Sequence, residues 1–431
     1  MAERTLAEWL EHQQRIHPRD IELGLERVRE VWERMGAPRP APVLITVGGT
    51  NGKGSTVAFL QAMLAAAGKR VGAYTSPHLL HYNERVSIDG AAVGDELLVD
   101  AFERIQVERK EIPLTYFEFG TLAALWIFAH ADLDAALLEV GLGGRLDAVN
   151  IVDANAAIVT SVDLDHMEWL GNDREDIGRE KAGIFRAGRP AIIGFRPPPE
   201  SVLAEARRIG AHPLCAGIDY RSVSDADGWQ WRMGSCSLDL PPPGLAASCQ
   251  TDNAAAAITA LHGLRDRLGW NVAAIIAGVA NASAPARLQR IMNDDWPELV
   301  IDVAHNAQAA RVLGEWLAAN PPRGRNLAVY GALADKDVPG VAAAIDASIS
   351  EWFVAGLDTD TPRGLSAVEL RSRMGATVGG VHAFRDPGAA LDAAIKAASA
   401  DDRVVAFGSF FVAAAALNLA QRHRRIHSVN V

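Results

Sequence analysis

The sequence of 431 residues holds only three cysteines, Cys215, Cys236 and Cys249. An odd count with no CxxC spacing argues against a disulfide framework or a thiolate zinc site, so reduced thiols are expected. Positive charge is also scarce: 42 Lys and Arg stand against 53 Asp and Glu, a formal net charge of -11. Nucleic-acid binders neutralise phosphates with a basic surface. No polynucleotide partner is therefore expected, and no anionic membrane surface. Apolar runs stay short of the ~18 residues that cross a bilayer. The longest, "LAALWIFAHADLDAALLEV", is broken by His130, Asp132 and Asp134. The opening stretch "MAERTLAEWLEHQQRIHP" is charged and amphipathic and lacks the apolar centre of a secretory signal. These absences point to a cytoplasmic protein. Internal repeats and low-complexity tracts are missing as well, and the basic run "QRHRRIH" reads as a solvated helix end.

What is present is ordinary globular material, 49% hydrophobic and 22% charged. The length suits two domains. "VLITVG", "DAALLEVG", "AAIVTSVD" and "AIIGF" read as buried strands. Helical patterns such as "STVAFLQAMLAAAG" and "YFEFGTLAALWIFAHA" lie between them. This alternation predicts an α/β fold with a parallel sheet under helices. Residues 211–240 carry short alternating pieces and turn residues, which predicts a small antiparallel addition, closed by "PPPG" and followed by a helix from about Asp252. A second, smaller α/β series begins near Ile291 with "ELVIDVAHN", "NLAVYGAL", "EWFVAGL" and "RVVAFGSF". The domains are expected to be residues 1–284 and 285–431.

The chemistry starts at "TVGGTNGKGSTVAFLQAML", Thr46 to Leu64. A buried strand, a glycine-rich turn and a helix make the setting of a phosphate loop. Glycines let backbone N–H groups approach phosphates, and a helix N-terminus favours negative charge. Lys53 would reach the β- and γ-phosphates. The spelling departs from the common P-loop, because Gly54 separates Lys53 from Ser55 and Val47 replaces the first glycine. Ser76, Glu139 and His166 also follow strands, and ligands of open α/β sheets bind beyond the carboxyl ends of strands. Oxygen ligands at those ends suit magnesium, the companion of nucleotide phosphates. Lys181, in "REKAGIFR" with Ile184 and Phe185, reads on pattern alone as an ordinary helix lysine. In the second series Asp302, His305 and Asn306, then Asp335, Lys336 and Asp337, follow strands. Two such rims would face an interdomain cleft.

Taken together, "GTNGKGS", "TSPHLLHYNERV", "TYFEFGTLAAL", "LLEVGLGGRLDAVNIVD", "LDHMEWLGNDREDIGREKAGIFR" and "DVAHN" resemble the folylpolyglutamate synthase family of Mur ligases, in its bifunctional bacterial branch. The resemblance covers nearly the whole chain in order. It implies a Mur-ligase-like fold, with ATP and pterin bound in the first domain. It implies that Thr50, Asn51, Gly52, Lys53, Gly54 and Ser55 hold the ATP phosphates, joined by Asn253, Arg287 and Asp302. Ser76 and Glu139 would bind one Mg2+ and His166 a second. Lys181 matches a lysine that the family carbamylates, and His305 would act in acid–base chemistry or positioning. The pterin would lie against Ile21, Glu22, Leu23 and Gly24, against Thr115, Tyr116, Phe117 and Glu118, and against Leu146, Asp147 and Ala148. Asp147 would hydrogen-bond its edge and Phe117 would pack on its face.

The implied reaction adds L-glutamate to dihydropteroate, and further glutamates to reduced folates, through an acyl phosphate made from ATP. The chain is expected to be a monomer. Two departures stand out: Ala286 where relatives often have glycine, and Ala334 where relatives carry a bulkier residue. Alternatives are a folylpolyglutamate synthase alone, a Mur enzyme acting on a UDP-sugar peptide, a switch or transport ATPase, and a non-catalytic nucleotide binder. A phosphate loop that begins about 48 residues in leaves no room for the UDP-binding domain such Mur enzymes carry before it.

Overall fold

The computed structural model describes residues 4–17, 21–224, 228–292, 296–375 and 379–429. Side chains of 424–427 in the basic run, and residues 225–227 of the antiparallel addition, lie outside the described residues. The chain divides into two compact units, one of 1–244 with 250–283 and one of 245–249 with 284–431.

The apolar runs of the first unit form strands β1 (Val43–Gly48), β2 (Val71–Tyr74), β3 (Val86–Ile88), β4 (Ala91–Ala92), β5 (Ala135–Glu139), β6 (Ala156–Val159), β7 (Pro190–Ile193) and β8 (His212–Cys215). They make one sheet in the order β4-β3-β2-β5-β1-β6-β7-β8. β2, β5, β1, β6, β7 and β8 run parallel, while the β3–β4 hairpin adds an antiparallel edge. β1, β5 and β6 are buried along their whole length, which is why they read as continuous apolar runs and not as alternation.

Residues 211–240 differ from expectation. His212–Cys215 returns from the helix Glu200–Ile209 and pairs parallel with β7. A strand reached through a helical crossover joins the sheet parallel. Only β9 (Tyr220–Ser224), β10 (Trp229–Met233) and β11 (Cys236–Leu240) form the antiparallel addition. The helix after it begins at Gln250, two residues before the expected start.

The second unit builds a six-stranded sheet from β12 (Gln289–Ile291), β13 (Glu298–Ile301), β14 (Asn326–Tyr330), β15 (Glu351–Ala355), β16 (Val381–Phe384) and β17 (Arg403–Phe407), in the order β12-β13-β17-β14-β15-β16. Only β12 runs antiparallel to its neighbour. Tyr330, Trp352 and Phe407 pack in its core with ring centroids 5.1–6.1 Å apart.

One close approach sets the position of the phosphate-loop helix, Lys53–Ala66. The helix Val272–Asn281 lies against it, and at Gly278 a Cβ would come within 2.5 Å of the Met63 backbone. Only glycine permits that spacing. Gly278→Val is expected to lower the free energy of unfolding by about 2–3 kcal/mol, the cost of an overpacked core, read as a lower midpoint in denaturant unfolding.

Candidate active site

β1 ends at Gly48, and the loop that follows is stitched to the segment after β6. Thr50 N donates to Ser161 O at 2.8 Å, and Asn51 N donates to Ser161 Oγ at 2.9 Å. Thr160 Oγ1 donates to Asn51 O at 2.6 Å. Thr50 Oγ1 and the backbone of Asp163 exchange two bonds of 3.1 Å. A Cβ on Gly49 would fall 1.9 Å from Thr160 Oγ1. Gly52 caps the helix with φ 88, a left-handed conformation that suits glycine. The N–H groups of the first helical turn, at Gly54 and Ser55, have no acceptor within the helix and point out of its N-terminus. Lys53 Nζ donates to the carbonyls of Gly49 and Thr50, at 3.0 and 3.1 Å.

Asn253 comes to this loop from the helix Gln250–Gly263: its Oδ1 lies 2.6 Å from where a Gly52 Cβ would stand. Gln250 accompanies it, donating to Ser55 Oγ at 3.3 Å and accepting from Asn253 Nδ2 at 3.0 Å. Sequence reasoning missed Gln250, Thr160, Ser161 and Asp163. The polar pair Thr160–Ser161 directly after an apolar strand was the available signal.

Glu139 closes β5 directly beside Val47 of β1 and is 4% exposed. Ser76 N donates to its Oε2 at 3.4 Å, so the first two expected metal ligands stand together. A hydroxyl and a carboxylate are hard oxygen donors, which fits a cation that binds few protein groups and completes its shell with phosphate and water. Among the described residues no three His, Cys, Asp or Glu gather as a metal-holding group. His166 caps a short helix with φ 51, and its N–H donates to Asp165 Oδ1 at 2.9 Å.

Lys181 is more than the ordinary helix lysine of its pattern. It lies in the helix Arg174–Ala182 but is 4% exposed, and Ile184 and Phe185 follow that helix instead of extending it. Burial, and then the nearby Lys53 charge, push its pKa down to about 7, against the pull of Asp165 and Asp147. Asp147 is buried too, and burial pushes its pKa up to about 6. Its two oxygens accept from Leu142 N at 2.8 Å and Val149 N at 3.0 Å, holding the glycine-rich loop after β5. The charges of Lys53, Asp165 and Asp147 thus all act on the buried Lys181, and that of Lys53 on the buried Asp147 as well.

The three expected pterin segments also meet. Thr115 and Glu118 form a capping box at the start of the helix Tyr116–Ala129. Arg27 links Glu22 to Glu118, at 2.5 and 3.1 Å. The Phe117 ring covers Gly141, where a Cβ would clash at 2.6 Å, at the head of the loop that leads to Leu146, Asp147 and Ala148. Ile21, Leu23 and Gly24 are half-buried on the adjoining segment.

In the second unit, Asp302 is half-buried just past β13, and desolvation of its carboxyl raises its pKa. It accepts from Leu288 N and Ala304 N, both at 2.8 Å. Arg287 lies 5.8 Å from the Phe410 ring centroid. His305 Nδ1 donates to Val303 O at 2.8 Å, which leaves Nε2 as the acceptor nitrogen in a neutral ring. Asn306 and Asp337 cap the helices Ala307–Ala319 and Val338–Ile345, and Asp335 pairs with Arg363 and Lys336. Ala286 holds φ 52, a left-handed conformation that glycine would adopt without strain.

A phosphate loop on a parallel sheet, with a second α/β unit after it, fits an ATP-dependent ligase of the Mur type, and the family models match that class. The Mur ligase middle domain matches residues 47–194, and the Mur ligase glutamate ligase domain matches residues 286–410. The dihydrofolate synthase/folylpolyglutamate synthase of Escherichia coli K12 is 43% identical over 97% of this chain and 96% of its own. The solved structure of E. coli FolC in complex with DHPP and ADP superimposes with a TM-score of 0.91 at 42% identity, covering 98% of this chain and 99% of that one. A bifunctional folylpolyglutamate synthase/dihydrofolate synthase with Mn, AMPPNP and L-glutamate bound gives 0.88 at 42% identity, covering 97% and 98%. The chain belongs to the dihydrofolate synthase/folylpolyglutamate synthase family.

A Cβ at Gly52 would meet both a left-handed backbone and Asn253. Gly52→Ala is expected to raise the KM for ATP about ten-fold, since left-handed alanine alone costs about 1–2 kcal/mol. Nucleotide-dependent turnover measured over a range of ATP concentrations checks this.

Proposed function

We propose that this chain carries out both family reactions, adding L-glutamate to dihydropteroate and then to reduced folates, at the site described above. The carrying observation is the register of β1 with β5, which sets the phosphate loop beside the Glu139–Ser76 pair. Thr50 to Ser55 and Asn253 hold the ATP phosphates, and Arg287 and Asp302 serve in binding nucleotide. The substrate carboxylate attacks the γ-phosphorus, ADP leaves, and an acyl phosphate forms. The amine of L-glutamate then attacks the carbonyl carbon and loses a proton, and phosphate departs with the former carboxylate oxygen to leave an amide. Lys53 and the loop N–H groups stabilise the charge of the transferring phosphoryl group. A divalent ion, when bound, adds to that stabilisation; Ser76 and Glu139 would hold one Mg2+ and His166 a second. His305, whose ring is oriented by Nδ1 donating to Val303 O, serves in positioning or proton transfer. The protein's main work is to hold three substrates in line, an effect that reaches about 7–11 kcal/mol.

Lys181 supports a further part of this reading. An amine with a pKa of about 7 is half neutral at neutral pH, and a neutral amine adds to CO2 to give a carbamate and a proton. The product replaces a buried cation beside Lys53 with an anion, which relieves the repulsion between the two lysines. Protein equilibrated with 13C-bicarbonate is expected to show a carbamate carbon signal by NMR that Lys181→Arg lacks. A spectrum shared by both proteins removes the carbamate.

The reaction itself is tested by phosphate release and product mass, with ATP, magnesium and L-glutamate, with and without dihydropteroate. Release that depends on dihydropteroate, with a product heavier by one glutamyl unit, is expected, and Lys53→Ala should lose about 100-fold or more of it. Release indifferent to both acceptor and glutamate would mean an ATPase.

A further inference from the structure

The segment Ile21–Gly24 has neither helix nor strand. One side chain ties it to a distant helix of its unit. Arg27, near the start of the helix Glu26–Arg34, donates from Nη1 to Glu22 Oε1 at 2.5 Å and from Nη2 to the Glu22 carbonyl at 3.1 Å. The same Nη2 donates to Glu118 Oε1 at 3.1 Å, across 91 residues of sequence. The Glu118 side chain is 4% exposed. Its second oxygen accepts from Thr115 N at 2.8 Å, closing the cap of the helix Tyr116–Ala129. The second Glu22 oxygen lies 3.5 Å from His17 Nε2. Meanwhile the Arg27 Nε–H is buried with no acceptor among the described residues. A buried unsatisfied donor costs stability, so the guanidinium is placed for its two carboxylates and not for its own full hydrogen bonding.

We infer that Arg27 is a positioning residue for pterin binding: it fixes Ile21–Gly24 against the Thr115–Glu118 turn, and dihydropteroate binds only as well as that hold lasts. This rests on the reading of both segments as pterin-binding. The physical reason lies in charge. Without the guanidinium, Glu22 and the buried Glu118 lose the cation they share. Like charges placed close together away from water repel, and the irregular segment is the part able to move away. Arginine suits the place better than lysine, because its planar fork reaches two acceptors at once.

The test compares full-length wild type with Arg27→Met and Arg27→Lys, by steady-state kinetics and by amide hydrogen exchange. Arg27→Met is expected to raise the KM for dihydropteroate about ten-fold or more, with the KM for ATP and the kcat at saturating pterin within about two-fold. Exchange across Ile21–Gly24 should quicken while that of the helix Lys53–Ala66 stays as it was. Arg27→Lys should recover part of both effects, and it carries the same test if the methionine variant does not fold. Faster exchange with an unchanged pterin KM would overturn the inference and remove Ile21–Gly24 from the pterin site. No change in either would overturn the role of Arg27 and leave the pterin reading standing. A parallel rise in both KM values, with a lower melting temperature, would mean general destabilisation and would also overturn it.

Discussion

The first unit depends on how the turn between β1 and its helix is held. A loop that offers its N–H groups to an anion cannot also spend them all on itself. This one is fixed mainly by its neighbour: Ser161 takes two of its amides, and Thr160 donates to the Asn51 carbonyl. β1 and β6 are adjacent and parallel, so their ends deliver both partners to the same place. Glycine at 49 is what lets Thr160 come so near. From that fixed turn the helix Lys53–Ala66 starts in a set direction, Gly278 lets a second helix close behind it, and Gln250 and Asn253 meet its first turn. Packing and phosphate geometry are therefore one constraint here, because moving either helix moves the loop.

The same crowding explains the electrostatics. Lys181 and Asp147 both lose charge to burial, in opposite directions, until their pKa values stand at about 7 and about 6. Neither has the arrangement of a simple structural ion pair. Asp147 is occupied by backbone N–H groups, and the charge of Lys53 opposes that of Lys181. Perturbed groups of both signs beside a phosphate loop mark a place built around a ligand and not around its own stability.

Much of the fold was legible because buried parallel strands write themselves as unbroken apolar runs, as in "VLITVG" and "AAIVTSVD". Short edge elements were not. β4 has two residues and β12 three, too few for any period to show. His212–Cys215 was misread because half-exposed residues on an edge strand resemble a hairpin, while its parallel pairing is set by the helix before it. The site was legible where residues cluster at a strand end, as Lys53 and Glu139 do. The burial of Lys181 was not, since a helical pattern gives periodicity and not the depth of the face. Nor was Arg27, whose partner Glu118 lies 91 residues away, a distance that only the fold closes.

The unusual spelling of the loop has a structural consequence. In the common P-loop the hydroxyl residue directly follows the lysine and faces the metal. Here Gly54 intervenes, and one added residue turns a helical side chain by about 100°. Ser55 is accordingly 2% exposed, and its hydroxyl accepts from Gln250 inside the unit. A hydroxyl so placed serves the packing of two helices and not a solvated cation. On the proposed reading the metal's hydroxyl comes instead from another strand end. Ser76 stands two residues past β2, next to β5 in the sheet, and its backbone already touches Glu139. On that reading the inserted glycine and the serine past the neighbouring strand are two halves of one arrangement: as the first hydroxyl turns inward, the second takes its place.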